Sequence, residues 1–347
     1  MAVSATNTPI LRIQITDLGE DRYQVETHLA GKTATRIAPS PLKRGEIFYT
    51  IALLKQIHSV PPLEYQHRLR ELGNHLCNYV IPGNTFQHIV SLSSSNLIIS
   101  LYLEQAGLLA FLPWEVMWHP DYGYLATHPK IHLTRSISQA PRPTIIPVVD
   151  YLRILRVVST ETVQHQVLVN KSIKALHLEN LMPASLPGLI RQLEAQDKHI
   201  LQLHLYMSEN EHTHQILLSF DDPTQSPDEQ LTSPQGLAEW IGIHATIRLI
   251  IIIPHTTQKR AIMPMVQTAS IELLRAGIPA IVVPPPYAEP DVSVLYDALC
   301  RGQSLLSAVS AFRTHLVKSG DVTQWSNVTL FTNMTDDGPF RFIYSQD

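Results

Sequence analysis

Arg248-Leu-Ile-Ile-Ile-Ile-Pro-His255-Thr-Thr257 is an unbroken apolar run that passes into a polar loop, and Leu201-Gln-Leu-His-Leu-Tyr-Met-Ser208-Glu209 is a second run of similar character. Strands rich in Ile, Val and Leu are what a sheet covered on both faces requires, so both segments read as central strands of a mostly parallel sheet. Working outward, 152–159 and 173–178 are further apolar strands, 185–196 and 234–241 helices, 263–276 a helix, 278–283 a strand, and 292–299 and 305–317 closing helices. Strands alternating with helices predict an α/β fold, a three-layer sandwich with a mostly parallel central sheet. In such sheets the functional crevice lies beyond the carboxyl ends of the strands, so the loops after Met207, Ile253 and Val283 are expected to share one rim.

The first third of the chain follows a different pattern. Leu11, Ile13 and Ile15 alternate with Arg12, Gln14 and Thr16, and Gly19-Glu20-Asp21 turns the chain into Tyr23-Gln-Val-Glu-Thr-His-Leu29. Period-two alternation across a polar turn predicts two strands in a hairpin over 10–38. Leu69, Leu72, Leu76 and Tyr79 carry helical spacing over 63–79, and 97–103 reads as another strand. Pro141-Arg-Pro-Thr-Ile-Ile-Pro147 is the natural boundary, because prolines fix the backbone and deny donors to a sheet. The expected organisation is a strand-rich N-terminal unit over 1–140, a proline-rich linker over 141–151, and an α/β core over 152–347.

Composition narrows the function classes. A chain of 347 residues with 44% hydrophobic and 16% charged residues buries a sizeable core, and a net charge of -4 argues against a nucleic-acid partner. No basic segment followed by an apolar stretch opens the chain, and the strongly apolar run 249–253 is too short to span a bilayer, so no membrane association and a cytoplasmic location are expected. Cys77 and Cys300 lie far apart, which fits a reducing compartment and neither a disulfide scaffold nor a zinc site. Asn327-Val-Thr329 and Asn333-Met-Thr335 match a glycosylation pattern by chance in such a setting. Gly31-Lys32-Thr33 lacks the earlier glycine of a phosphate-binding loop, so no nucleotide and no cofactor is expected. The histidines are scattered; His212-Thr-His214 could share a strand face, yet with His199 and His204 it finds no third ligand at motif spacing, so no metal is expected.

Four segments resemble the CHAT domain, the caspase-like peptidase module of bacteria often found beside tetratricopeptide repeats. Leu112-Pro-Trp-Glu-Val-Met117, followed by Gly123-Tyr-Leu-Ala126 and Leu133-Thr-Arg-Ser136, is similar to the family's Leu-Pro-Trp-Glu lead-in, with Trp114 and Glu115 at its centre. The strand pair ending at Met207 and Ile253 is the second. Arg275-Ala-Gly277-Ile-Pro279-Ala-Ile-Val-Val283 and the run from Gly302-Gln-Ser304 to Ala308 and Arg313 are the others. The likeness extends from about Leu63 to Phe331 and implies a caspase-like fold. From the residues themselves, Trp114 is expected as an apolar anchor, Glu115 as bonded to nearby backbone, and Cys300 as a buried inert thiol.

Against that resemblance, both positions of the family's catalytic dyad are replaced. Active members carry a His-x-x-Gly-His-Gly pattern after the third core strand; here the stretch is His204-Leu-Tyr206-Met207-Ser208-Glu209, so Ser208 stands for the catalytic histidine and Met207 and Glu209 for two glycines. His255 stands where the family has its nucleophilic cysteine. A Cys/His dyad works because histidine takes the thiol proton and leaves a thiolate, and neither replacement does that work. The connection at 160–172 is also short and polar where the family has a longer helical one. The resemblance thus implies a pseudo-peptidase that serves as a protein-binding regulatory or scaffold subunit in signalling or defence, with an active CHAT peptidase, a repeat protein or an ATPase as partner. The expected contact groove gathers 206–210, 254–259 and 284–289, with Tyr206, Met207, Glu209, Thr256, Thr257 and Tyr287 as its contact residues; Pro284-Pro-Pro-Tyr287 is stiff and ends in an aromatic, which also describes an ordinary rigid loop. The acidic, turn-rich 221–229 reads as a surface loop. Two alternatives stand beside this: a hydrolase in which His255 activates Ser208, and a small-ligand sensor using the vacated pocket.

Overall fold

A computed structural model describes residues 8–53, 61–81, 96–139, 146–149, 151–159, 176–210, 212–213, 215–221, 231–242, 244, 246–255, 262–285, 291–319, 324–334 and 340–343. Two compact units divide the chain: Met1–Ser138 with Val309–Ser326, and Gln139–Ala308 with Asn327–Asp347. The expected core over 152–347 therefore gives up a segment to the N-terminal unit. The reason lies in its bonds. Ser310 Oγ is 3.2 Å from Nδ1 of His132, Thr314 donates to the Thr127 carbonyl at 3.2 Å, and the Trp325 ring lies 4.6 Å from that of Tyr124.

In the first unit, strands β1 (Ile10–Asp17), β2 (Arg22–Leu29) and β3 (Lys32–Pro39) form an antiparallel meander. The alternation predicts one hairpin. A third strand exists because Ala30 and Gly31 both adopt positive φ, 48° and 79°, and form a two-residue turn of the kind that matches strand twist. Helix α1 (Arg44–Leu53) has no counterpart in the expectations. Its start is fixed locally: the Lys43 N–H donates to Glu46 at 2.8 Å, half of a capping box. Helix α2 (Pro62–Val80) buries Tyr65, Leu69, Leu76 and Val80. Strand β4 (Leu97–Gln105) runs parallel to β1, the short β5 (Trp118–His119) and β6 (Gly123–Tyr124) pair with each other, and β7 (Ile131–Ser136) runs parallel to β4. Gly73 of α2 passes so close to the Val116 carbonyl that a Cβ would collide with it, so the close approach of the helix to the Leu-Pro-Trp-Glu segment at this point requires a glycine.

The second unit holds β8 (Ile146–Val149), β9 (Leu152–Val158), β10 (Leu176–Leu181), helix α3 (Leu186–Ala195), β11 (Ile200–Glu209), β12 (Ile216–Ser219), β13 (Leu231–Thr232) and α4 (Pro234–Gly242). It continues with β14 (Leu249–His255), α5 (Ile262–Arg275), β15 (Ala280–Val283), α6 (Ser293–Cys300), β16 (Thr329–Thr332) and β17 (Phe340–Ile343). Strands β10-β9-β11-β14-β15 lie side by side and parallel, and β16 joins antiparallel. Strand β8 pairs parallel with β17, so part of the expected linker is sheet. Residues 140–145 and 160–175, where the rest of the proline run and the short polar connection fall, lie outside the described residues.

Helices cover both faces of this sheet, as a three-layer sandwich requires. Gly188 of α3 abuts Leu181, whose register partners Val157 and Leu203 mark one face. The crossovers through α4 and α5 run in the same direction, and right-handed connection puts those helices on that face too. Helix α6 takes the other face, where its Tyr296 reaches Gln202. Gly277 and Gly302, at φ of 102° and 76°, end α5 and α6 in the left-handed conformation. In each case the next residue's N–H returns to a carbonyl one turn back, Ile278 to Leu273 and Gln303 to Ala298, the Schellman closure that glycine makes without strain. Pro279 then leads into β15, its carbonyl accepting from the Thr332 hydroxyl at 3.0 Å.

Candidate functional site

The site is built where β11 and β14 outrun β9. The apolar pattern predicts that Ser208 and His255 follow their strands into loops; both instead lie within strands, β11 running to Glu209 and β14 to His255. Parallel register sets Tyr206 opposite His255, and His204 opposite Ile253. Partners in register point to the same face, and so do residues two apart on one strand. His204, Tyr206, Ser208 and His255 therefore share the α6 face, at the carboxyl end of the sheet. Strand β12 extends that face, pairing antiparallel with the outrun of β11 so that Ser219 stands beside Tyr206 and Leu217 beside Ser208.

Rings dominate the geometry. The His255 ring lies 6.2 Å from that of His204, nearly parallel at 22°, and 5.9 Å from that of Tyr206. Beneath them a polar line enters the core. The Tyr296 hydroxyl donates to Gln202 Oε1 at 2.7 Å, and Gln202 Nε2 is 2.8 Å from His204 Nε2, with Gln202 and His204 fully buried. Burial raises the Tyr296 phenol, with Arg156 pulling the other way, so it remains a neutral donor. This line is absent from the expectations. Its signal is nevertheless in the sequence: Gln202 and His204 are a polar pair at period two inside an otherwise apolar strand, which places both on one face.

At the neighbouring strand end, Ser159 closes the gap left by β9. Its N–H donates to the His204 carbonyl at 3.1 Å and its hydroxyl to Asp221 Oδ1 at 2.8 Å. Asp221 itself follows β12, so the start of the acidic loop is anchored to the rim; residues 222–230 lie outside the described residues.

Of the expected groove residues, Tyr206 and Glu209 are half-buried and stand on opposite faces of β11. Met207 does not line a groove: it is 2% exposed and packs into the core face with Leu205. The physical reason is the strand itself, because continuing β11 through Ser208 keeps the alternation and turns Met207 inward. Thr256, Thr257 and Tyr287 lie outside the described residues. The Nδ1 of His199 accepts from the Arg153 backbone N–H at 3.1 Å, and burial, then Arg153, lowers it to about 4. His212 stands in a turn, and His214 lies outside the described residues. Among the described residues no three His, Cys, Asp or Glu side chains gather as a metal site would need.

Trp114, Glu115 and Arg313 belong to the first unit and to its core. Trp114 is fully buried and donates from Nε1 to the Leu109 carbonyl at 2.8 Å. Glu115 is not bonded to backbone as expected. It receives two bonds from Arg135, at 2.9 and 2.7 Å, while Arg135 also donates to the carbonyls of Ala110 and Leu112, each at 3.0 Å. Burial lowers the fully enclosed Arg313 to about 10, with Glu115 opposing and Arg135 adding to the shift. These residues hold the lead-in segment to β7; they are architecture.

Chemically, the rim offers a hydroxyl, an imidazole and a phenol with no thiol among them. Cys77 lies in α2, where burial pushes it up to about 12; Cys300 lies in α6, where burial, then Asp297, pushes it up to about 11. Neither forms a thiolate near neutral pH. No helix among the described residues is long and apolar enough to cross a membrane. No protein-family model matches the chain, and no curated protein matches it.

Proposed function

We propose that this chain is a CHAT-like pseudo-peptidase that acts through binding, as a regulatory or scaffold subunit for another protein in bacterial signalling or defence. The observation that carries the reading is the placement of Ser208 and His255 on one face of adjacent parallel strands, at the rim where such a sheet holds its reactive groups, with both thiols of the chain buried in helices instead. A fold kept after its nucleophile is gone is kept for its surface. Tyr206, Ser208 and His255 form the centre of that surface, and the partner is an active peptidase, a repeat protein or an ATPase acting in the same cytoplasmic complex.

Two experiments test it together. Screening with fluorogenic peptide libraries yields no turnover from the wild-type chain, and a serine-directed fluorophosphonate leaves Ser208 unlabelled. Affinity purification from the native host recovers a stable companion, whose yield falls with Tyr206→Ala or His255→Ala in a folded protein. Turnover abolished by Ser208→Ala would make the chain a hydrolase instead, and purification of this chain alone would remove the scaffold role.

A further inference from the structure

Arg36 stands on β3, the last strand in the order of its sheet, opposite Val25 of β2. Through that register it shares the inward face with Tyr23, Val25 and Ala38, all buried, and not the solvated face of Thr35 and Ile37. There its guanidinium carbon lies 5.3 Å from the centroid of the Tyr79 ring, at the last turn of α2. That is the spacing of a cation over an aromatic face. The stack engages the flat face of the guanidinium and leaves its planar fork for another partner.

Two polar atoms of this pair are buried without an acceptor among the described residues: Nη2 of Arg36 and the hydroxyl of Tyr79. Tyr79 is 9% exposed. Its phenol is pushed up to about 12, by burial first, with Arg36 lowering it and Tyr23 raising it, so it stays a neutral donor at physiological pH. Arginine stays cationic under all ordinary conditions. A buried cationic donor beside a buried phenolic donor is a costly arrangement unless an acceptor arrives, and native structures leave few such groups unsatisfied. The deficit has a sign and a shape: two donors, one of them positive, call for an anion with two oxygens.

The geometry points to Arg36 and Tyr79 as a receptor for a carboxylate, one oxygen taken by the guanidinium and the other by the phenol hydroxyl. Arg36 as a whole is only half-buried and stands on the last strand of its sheet order, the side from which a ligand would reach the pair. The carboxylate comes either as a free small acid or as a Glu or Asp side chain of a bound protein segment; the chemistry of recognition is the same. A competing explanation is that an inward charge on an edge strand only prevents unwanted strand pairing. That role needs neither the phenol hydroxyl nor an anion.

The full-length protein decides between them by its thermal midpoint at constant ionic strength, with chloride as reference. Acetate or a capped Gly-Glu-Glu-Gly peptide raises the wild-type midpoint saturably, while capped Gly-Gln-Gln-Gly does not. Arg36→Gln abolishes the shift, Arg36→Lys keeps the charge and weakens it, and Tyr79→Phe weakens it at least threefold. In chloride alone Tyr79→Phe is as stable as wild type, because the hydroxyl it loses has no partner. Saturation by the Glu peptide at lower concentration than acetate assigns the site to a protein segment; the reverse order assigns it to a free acid. No saturable shift with either probe, or an equal shift in Arg36→Gln, overturns the receptor.

Discussion

Tyr206 and His255 are register partners on adjacent parallel strands, with ring centroids 5.9 Å apart, and that pairing ties the two strands that the family resemblance singles out into one surface. Ser208 is the diagonal neighbour of His255, roughly 8 Å away in Cα position by ordinary strand spacing. Both side chains point to the α6 face, so the two positions that the resemblance aligns with a dyad stand side by side in space.

Introducing a Cys/His pair by substitution is expected to fail at Met207. His255→Cys alone stays inactive because a nucleophile without its base recovers little. Ser208→His with His255→Cys rebuilds the pair, but adding Met207→Gly and Glu209→Gly empties a core position that is 2% exposed. A buried Met cut back to Ala costs about 2–5 kcal/mol, and glycine adds its own backbone penalty. Urea denaturation of Met207→Gly is expected to show that loss, and a midpoint unchanged from wild type would contradict the inward placement.

Removing the Tyr296 hydroxyl strands Gln202 Oε1 in the core. Tyr296→Phe is expected to cost about 1–3 kcal/mol, the penalty for leaving a buried acceptor unmet. Combining it with Gln202→Leu removes both ends of the bond, so the double variant loses less than the sum of the singles. A double-mutant cycle by chemical denaturation reads this coupling directly; strict additivity would mean that the bond contributes nothing.

Glu115 and Arg135 are 2% and 5% exposed. Glu115→Ala leaves a buried guanidinium without its carboxylate and is expected to destabilise the first unit by about 3–5 kcal/mol, whereas Glu115→Leu with Arg135→Met costs less than either single change. Tryptophan fluorescence tracks the loss through Trp114, which is buried beside the pair in sequence.

Acidification weakens both units through buried neutral histidines. Burial, aided by Arg313 and His128, lowers His132 to about 4, and His199 is lowered to about 4 from an ordinary 6.5. A folded value below the unfolded one means that the unfolded chain binds the extra proton. The contribution is therefore complete above about pH 6.5 and is lost as pH falls toward 4. By linkage each histidine forfeits about 2 kcal/mol by pH 5. Urea midpoints at pH 7.5, 6 and 5 measure the slope. His199→Asn keeps an acceptor for the Arg153 N–H but removes the proton site, so its midpoint should fall less on acidification.

The α/β class, the parallel character of the sheet, the helices after each strand and the shared rim are all local statements, and the apolar runs at 201–207 and 249–253 carry them without a fold in view. Strands covered on both faces are mostly apolar, with Gln202 and His204 a buried polar pair inside β11, and that composition leaves its mark on the sequence. What the runs do not contain is where a strand stops. Pairing with β12 and β14 extends β11 through Ser208 and Glu209, and this long-range hydrogen bonding, unseen in composition, turned Met207 inward and put Ser208 beside His255. The same holds for Glu115, whose partner lies twenty residues on in sequence but opposite it in the core, and for Val309–Ser326, drawn into the first unit by bonds to residues 124–132. Periodicity records which face a residue takes; only the folded chain decides what it meets there.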